Sequence, residues 1–357
     1  MANVNVFFER YRKQIGFVLL VSLLIWGGVR FSDKMHPKPE MAFWVTSDNL
    51  KLRTAEENAL AANGGRALYL HLMDIVWDDD KQFAFPALQL TIEKPLPEDL
   101  SVVPVIGIDN EVFEQLDAEK AGVLADMIAD RIIDRFTENR GLRNPLKSIL
   151  LDCDWSSSSK GSYFAFVDAL TGSFQCPVEV TLQLHQMKYR EQMGVPPVKR
   201  VMLLFDKLCG KDGNSCVDPL GEADSAADYL SSTADYPLPT DIGISIGTNA
   251  MLKGSAGSST FIPEVDRERL SDTLVYEKLS TSEYRVLEDG FLNNVPIAEG
   301  DLLVIHKIQM PELKNALKVL GKKLRKEKRT VCFLPFNLAM STAWSAGQLT
   351  ELMDILR

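Results

Sequence analysis

Eight short apolar runs recur along the chain, separated by segments of helical patterning, and this alternation restricts the folds open to it more than any other feature. The runs begin at Ala42 (AFWVTS), Ala67 (ALYLHLM), Val102 (VVPVIGI), Ser148 (SILLDCD), Val178 (VEVTLQL), Arg200 (RVMLLFD), Asp241 (DIGISIG) and Thr330 (TVCFLPF). They are apolar nearly throughout, as strands covered on both faces must be. Eight such strands, each followed by a helix or a long connection, close most economically into an α/β fold, the (β/α)8 TIM-type barrel. Helix starts are marked by Thr54 with Glu57 as a capping box, by Asp117 ahead of an amphipathic stretch to about Phe136, and by Pro311 in MPELKNALKVLGKKL. In the long helix, Val123, Met127, Ile128, Ile132 and Phe136 predict the core-facing stripe. Residues Ser258 to Ile308 exceed a strand-to-helix connection; TLVYEKLS, EYRVLEDG and LLVIHKI within them predict a small antiparallel β insertion, about 258–308, after strand 7.

Ahead of the barrel lies a second constraint. Ile15 to Val29 carries no charge, and Phe31 extends the apolar stretch past Arg30 to near the lower limit for spanning hydrocarbon. A buried soluble helix would show polar positions every third or fourth residue, whereas this one shows only Ser22. The expected order is a short tail 1–14, one N-terminal transmembrane helix over 15–31, a Pro-rich linker 32–40, and the barrel over 41–357. Arg10, Arg12 and Lys13 precede the apolar stretch as they would in a signal peptide, but GGVRFSDKMHPKP offers no small-x-small cleavage site and no lipoprotein cysteine, which predicts an uncleaved signal anchor. Arg30, Lys34 and Lys38 balance those three cations, so charge alone leaves the orientation open. Cys209 and Cys216 flank GKDGNS at a spacing that can close a small disulfide loop, which persists only in an oxidising compartment. This places the body outside the cytoplasm. Cys153 and Cys176 could form a second bridge, leaving Cys332 unpaired; the alternative is buried free thiols.

Composition removes several classes of function. Apolar residues make up 46% of the 357, enough for a core. A net charge of -10 opposes nonspecific nucleic-acid binding, which depends on neutralising phosphates. The basic run Lys314 to Arg329 reads as the solvated end of an amphipathic helix, where cations suit the dipole. His36, His71, His185 and His306 are scattered and no Cys or His pair has zinc spacing, so no metal is expected. No G-x-S-x-G, Walker loop or dinucleotide fingerprint occurs, so no cofactor is expected either.

Functional residues of such barrels lie at the C-terminal ends of strands. The fourth run ends in LLDCDW, where Asp152 and Asp154 share one face about 6 to 7 Å apart. Two carboxylates directed into a barrel mouth are costly unless hydrogen-bonded, titrated or meeting a ligand. Asp48, Asp74, Trp77, Asp109, Glu111, Trp155, His185, Gln186, Tyr189, Asp206 and Asn337 follow the other strands or this one and are candidate ligand-binding residues. Acids with aromatic rings suit a carbohydrate cleft, while helix capping and loop solvation place Asp at such junctions in any α/β protein and are the readier account of each residue taken singly, Asp152 and Asp154 excepted.

The run ILLDCDW resembles the fourth-strand motif of the family 18 glycoside hydrolases, the chitinase-like barrels, written D-x-x-D-x-D-x-E, and VKRVMLLFD is similar to their sixth strand. Asp152 and Asp154 then take the second and third Asp positions, and Met202, Phe205 and Asp206 match the sixth strand. The chain also resembles an uncharacterised group of exported bacterial barrels with an Asp-x-Asp strand and an incomplete motif. The family's first Asp falls on Ile149 and its proton-donating Glu on Ser156, which removes the general acid. The resemblance therefore implies a barrel with a sugar groove and diminished hydrolysis. The expectation is a single-pass protein of a bacterial inner membrane whose periplasmic body binds envelope polysaccharide or an envelope protein partner. The alternatives are an active glycoside hydrolase using Asp152 and Asp154 with an acid from Asp74, Asp109, Glu111 or Asp206, and a subunit of an envelope assembly.

Overall fold

The structure is a computed structural model that describes residues 37–357 apart from 48, 66, 139–145, 208–228, 231–235, 255–256, 263–264 and 294. All eight expected strands form and pair in parallel: β1 (Glu40–Val45), β2 (Ala67–Asp78), β3 (Ser101–Ile108), β4 (Ile149–Asp152), β5 (Val178–Gln183), β6 (Val201–Phe205), β7 (Thr240–Ser245) and β8 (Thr330–Leu334). Each pairs with its neighbour in chain order, and β8 returns to β1 in the register Ala42↔Cys332 while β1 meets β2 at Ala42↔Ala67. The ring is closed. Beyond the reach of β1, the edge of β2 pairs with an antiparallel strand, Phe83–Gln89, through Trp77↔Ala84 and its neighbours.

Alternation of side chains along these strands separates two cores. One set, which includes Phe43, Leu68, Ile106, Leu151, Val180, Leu203, Ile244 and Phe333, faces the surrounding helices. The other set, which includes Ala42, Trp44, Tyr69, Val103, Val105, Leu150, Met202, Leu204, Cys332 and Leu334, fills the barrel interior. Trp44 and Tyr69 stack there with centroids 6.2 Å apart. Gly243 leaves room for Leu204, since a Cβ at that position would lie 2.7 Å from Leu204 Cδ2. The lumen is thus solid below its mouth.

Helix starts follow local chemistry with two corrections. Asp117 accepts the Lys120 N–H at 2.9 Å ahead of the helix Ala118–Glu138, as expected. In the helix Thr54–Asn63 the Arg53 N–H donates to Glu56 Oε2 at 2.8 Å, one residue before the expected pair, because Thr54 is already helical. The buried stripe of Ala118–Glu138 runs through Ala121, Leu124, Ala125, Ile128 and Ile132, whereas Val123 and Met127 are 59% and 56% exposed. The helix packs against Lys160–Ser173 with small alanines among its buried positions, and a pattern scored on large side chains keeps Ile128 and Ile132 but takes Val123 and Met127 in place of Leu124 and the alanines.

The β insertion leaves the end of β7 earlier than expected, at Thr248. It forms a five-stranded antiparallel sheet of Ser259–Ile262, Thr248–Lys253, Leu302–Lys307, Glu283–Val286 and Tyr276–Lys278, in that order, with a hairpin of Gly290–Leu292 and Val295–Ile297. Leu252, Ile262, Tyr284, Val286 and Leu303 give it a core of its own. Cys153, Cys176 and Cys332 are free thiols, so the second bridge is not formed; burial raises the pKa of all three. Cys209 and Cys216 lie outside the described residues, as does the apolar segment 15–31. Among the described residues no helix is long and apolar enough to cross a membrane.

Candidate functional site at the barrel mouth

The end of β4 places its four residues by strict alternation. Asp152 and Asp154 point to the mouth, while Cys153 and Trp155 point to the helical layer and are buried in it. Asp152 accepts the Thr181 hydroxyl at 2.8 Å from β5. Burial raises its pKa, opposed by that hydrogen bond and by the charges of His71 and Lys207. Asp154 is engaged at both oxygens. Oδ2 pairs with Lys207 Nζ at 3.0 Å, and Oδ1 faces Gln186 Nε2 at 3.3 Å and His185 Nε2 at 3.4 Å. Gln186 is itself fixed, donating to the Trp155 carbonyl at 2.9 Å while its Oε1 accepts the Gln183 N–H at 2.8 Å.

Asp206, at the end of β6, lies beside this pair. Burial and the charges of Asp154 and Asp152 push its carboxyl up to about 6 against the pull of Lys207, and its buried Oδ1 has no hydrogen-bond partner among the described residues. Burial acts to lower the pKa of Lys207, but Asp154, Asp206 and Asp152 outweigh it and hold the ammonium charged. The charges of three carboxylates therefore act on one half-buried cation, which pairs with Asp154.

A second group closes the arc. The register of β2 against β3 shifts between His71 and Met73, and this bulge brings His71 and Asp74 onto the same face, with Nε2 and Oδ1 2.8 Å apart. An undisturbed strand would send positions i and i+3 to opposite faces. Gly107 of β3 makes room, because a Cβ there would fall 2.1 Å from Asp74 Oδ1. Asp109 follows, its pKa raised by burial and by Asp74.

The remaining expected residues divide. Trp155 contributes no ligand surface: it is fully buried, stacks on Tyr163 at 5.2 Å and donates from Nε1 to the Met193 carbonyl at 3.0 Å. Trp77 packs against the helical-side core. Asn337 caps the helix Leu338–Ala343, accepting the Met340 N–H at 2.8 Å. Glu111 is exposed in the first turn of Asn110–Gln115. His185 is buried, with its Nε2 facing Asp154. Tyr189 is half-buried, with Lys188 Nζ 5.7 Å from its ring centroid. Asp48 lies outside the described residues. His71, Thr181 and Lys207 were not singled out as site residues. The inward parity of His71 and Thr181, and the position of Lys207 directly after Asp206, are the signals that would have found them. Ser156, where the family motif carries Glu, belongs to a serine turn leading into the helix Lys160–Ser173; its N–H donates to Ser159 Oγ at 3.0 Å and its hydroxyl meets Ser158 Oγ at 2.7 Å. Among the described residues, no group of three or more His, Cys, Asp or Glu could hold a metal ion.

Fold and mouth together define a closed (β/α)8 barrel with an acidic rim. No protein-family model and no curated protein matches the chain. Among solved structures it is similar to the spore cortex-lytic enzyme SleL of Bacillus cereus, with a TM-score of 0.44 and 12% identity over 89% of this chain and 74% of that one. It is also similar to a chitinase of Chromobacterium violaceum, with a TM-score of 0.41 and 10% identity over 87% and 98%. A third is a xylanase and α-amylase inhibitor protein of Scadoxus multiflorus, with a TM-score of 0.39 and 8% identity over 89% and 97%.

Proposed function

We propose that this chain is a membrane-anchored, extracytoplasmic glycoside-hydrolase-like barrel without hydrolytic activity, which binds envelope polysaccharide or an envelope partner at its mouth. The observation that carries the reading is the engagement of Asp154. A general acid or base must be free to turn toward the reacting atom, and Asp154 is instead held from both sides, by Lys207 at one oxygen and by Gln186 and His185 at the other. Ser156 supplies no carboxyl and is bound within its own turn. Asp74, Asp109 and Asp152 can still accept hydroxyl hydrogen bonds, which are strong when the acceptor is ionised. Residues 15–31 supply the anchor in this reading.

The test is titration of the full-length protein in detergent with chito-oligosaccharides and other envelope glycans, with reducing ends assayed in parallel. Saturable binding without release is expected. Release of reducing ends that Asp154→Asn abolishes would overturn the noncatalytic reading, and absence of both binding and release would favour the assembly subunit. One observation favours a catalytic alternative: Asp206, at about 6 with an oxygen that has no hydrogen-bond partner among the described residues, has the character of a proton donor. On that alternative, turnover falls as pH rises through about 6 and is lost in Asp206→Asn.

A further inference from the structure

The β insertion carries an open recess of about 520 Å³ away from the acidic rim of the barrel. Its floor is apolar, formed by the buried side chains of Tyr276, Leu292 and Ile297. Phe291 stands on its wall and is 72% exposed. Val275 and Gly290 complete the uncharged part of the lining, so Phe291 is a bulky apolar group left in water at the edge of an apolar floor. Aromatic side chains left in water next to a preformed concavity characterise surfaces that are covered on association.

The charge around the recess restricts what can cover it. Glu268, Asp272, Glu288 and Asp289 line it against a single cation, Arg269. Among the described residues none of the four carboxylates is in an ion pair. Asp272 and Asp289 each accept one backbone N–H, from Leu274 at 3.0 Å and Glu299 at 2.7 Å, which fixes the walls without neutralising them. An anionic lipid surface would be repelled, and a neutral glycan would gain nothing from the excess charge. A cationic segment gains from the field during encounter and from burial of its apolar groups on the floor.

From this complementarity we infer that the recess is a docking site for a short cationic peptide segment of a partner protein, with a bulky apolar side chain seated beside Phe291. The inference stands on the insertion alone. Failure of the glycan titration leaves it intact, and its own failure leaves the sugar reading intact.

The experiment measures fluorescence anisotropy of labelled peptides against the full-length protein in zwitterionic nanodiscs, comparing an alternating lysine–leucine peptide with lysine–serine and glutamate–leucine peptides. The lysine–leucine peptide is expected to bind best and to weaken with salt. Phe291→Ser, an exposed position whose change leaves the core untouched, is expected to weaken it about tenfold. Glu288→Lys is expected to weaken it and flatten the salt dependence. Equal binding of either control peptide, or full affinity in both variants, would overturn the proposal. So would displacement of the peptide by chito-oligosaccharides.

Discussion

Glu179 shows at the scale of one residue how burial sets a titration. It sits near the start of β5, 8% exposed, and burial with the charge of Asp241 pushes it up to about 7, against Lys147 and Arg200. Asp241 takes Arg200 Nη1 at 2.8 Å and the Thr330 N–H at 2.6 Å, while Glu179 Oε2 has no partner among the described residues. An unfolded Glu titrates near about 4.3. The folded protein therefore holds this proton more tightly, and the stability it confers is complete below the unfolded value and is lost as pH rises to about 7. Glu179→Gln removes that loss, so the variant should gain about 3 kcal/mol relative to wild type between pH 5 and pH 8, read by urea unfolding at both. At the same scale, Asp152 and Asp154 were legible because alternation along a strand is a local property. The same rule sends Trp155 inward to the helices, and treating it as a ligand contact mistook residue type for direction. The ammonium of Lys207 on Asp154 was not legible, since it crosses from β6 to β4 and depends on how far the two strands are staggered.

Elements were read well where periodicity decides and less well where packing does. All eight strands lie where the apolar runs predict, because strands covered on both faces leave an uninterrupted signal. The bulge in β2 leaves no such mark: the run from Ala67 to Asp78 reads as continuous, and only pairing with β3 shows the slip that joins His71 to Asp74. Gly107 is its counterpart across the ladder. Gly107→Ala should destabilise the barrel by about 1 to 3 kcal/mol as the new methyl displaces Asp74. Gly122→Ala, in the helix Ala118–Glu138 with nothing within 4 Å of the added Cβ, should instead stabilise by about 0.5 to 1 kcal/mol. Opposite shifts of the urea midpoint distinguish them; equal shifts would remove the close approach at Gly107 as a constraint.

For the whole molecule, closure of the ring gives the acids a common location. Asp74, Asp109, Asp152, Asp154 and Asp206 come from four strands that span much of the chain, and they meet at one mouth because β8 returns to β1. The insertion with its separate core leaves from the same end of the barrel. In the proposed arrangement the segment 15–31 tethers all of this to a bilayer. Full-length protein should then sediment with membranes and resist extraction at high salt, whereas protein lacking residues 1–36 should remain in the supernatant. Sedimentation of the shortened form to the same extent would remove the anchor.

Local order along the chain was enough to specify which segments become strands, how many there are, and that a pair of acids faces one way at the end of the fourth. Those properties depend on spacing between neighbours and on the avoidance of buried unpaired polar groups. Partner choice across strands was not contained in it. Whether Asp154 meets a ligand or the ammonium of Lys207, and whether Asp74 meets His71, depends on the stagger and bulges of a closed sheet, where shifts of a single residue exchange one neighbour for another.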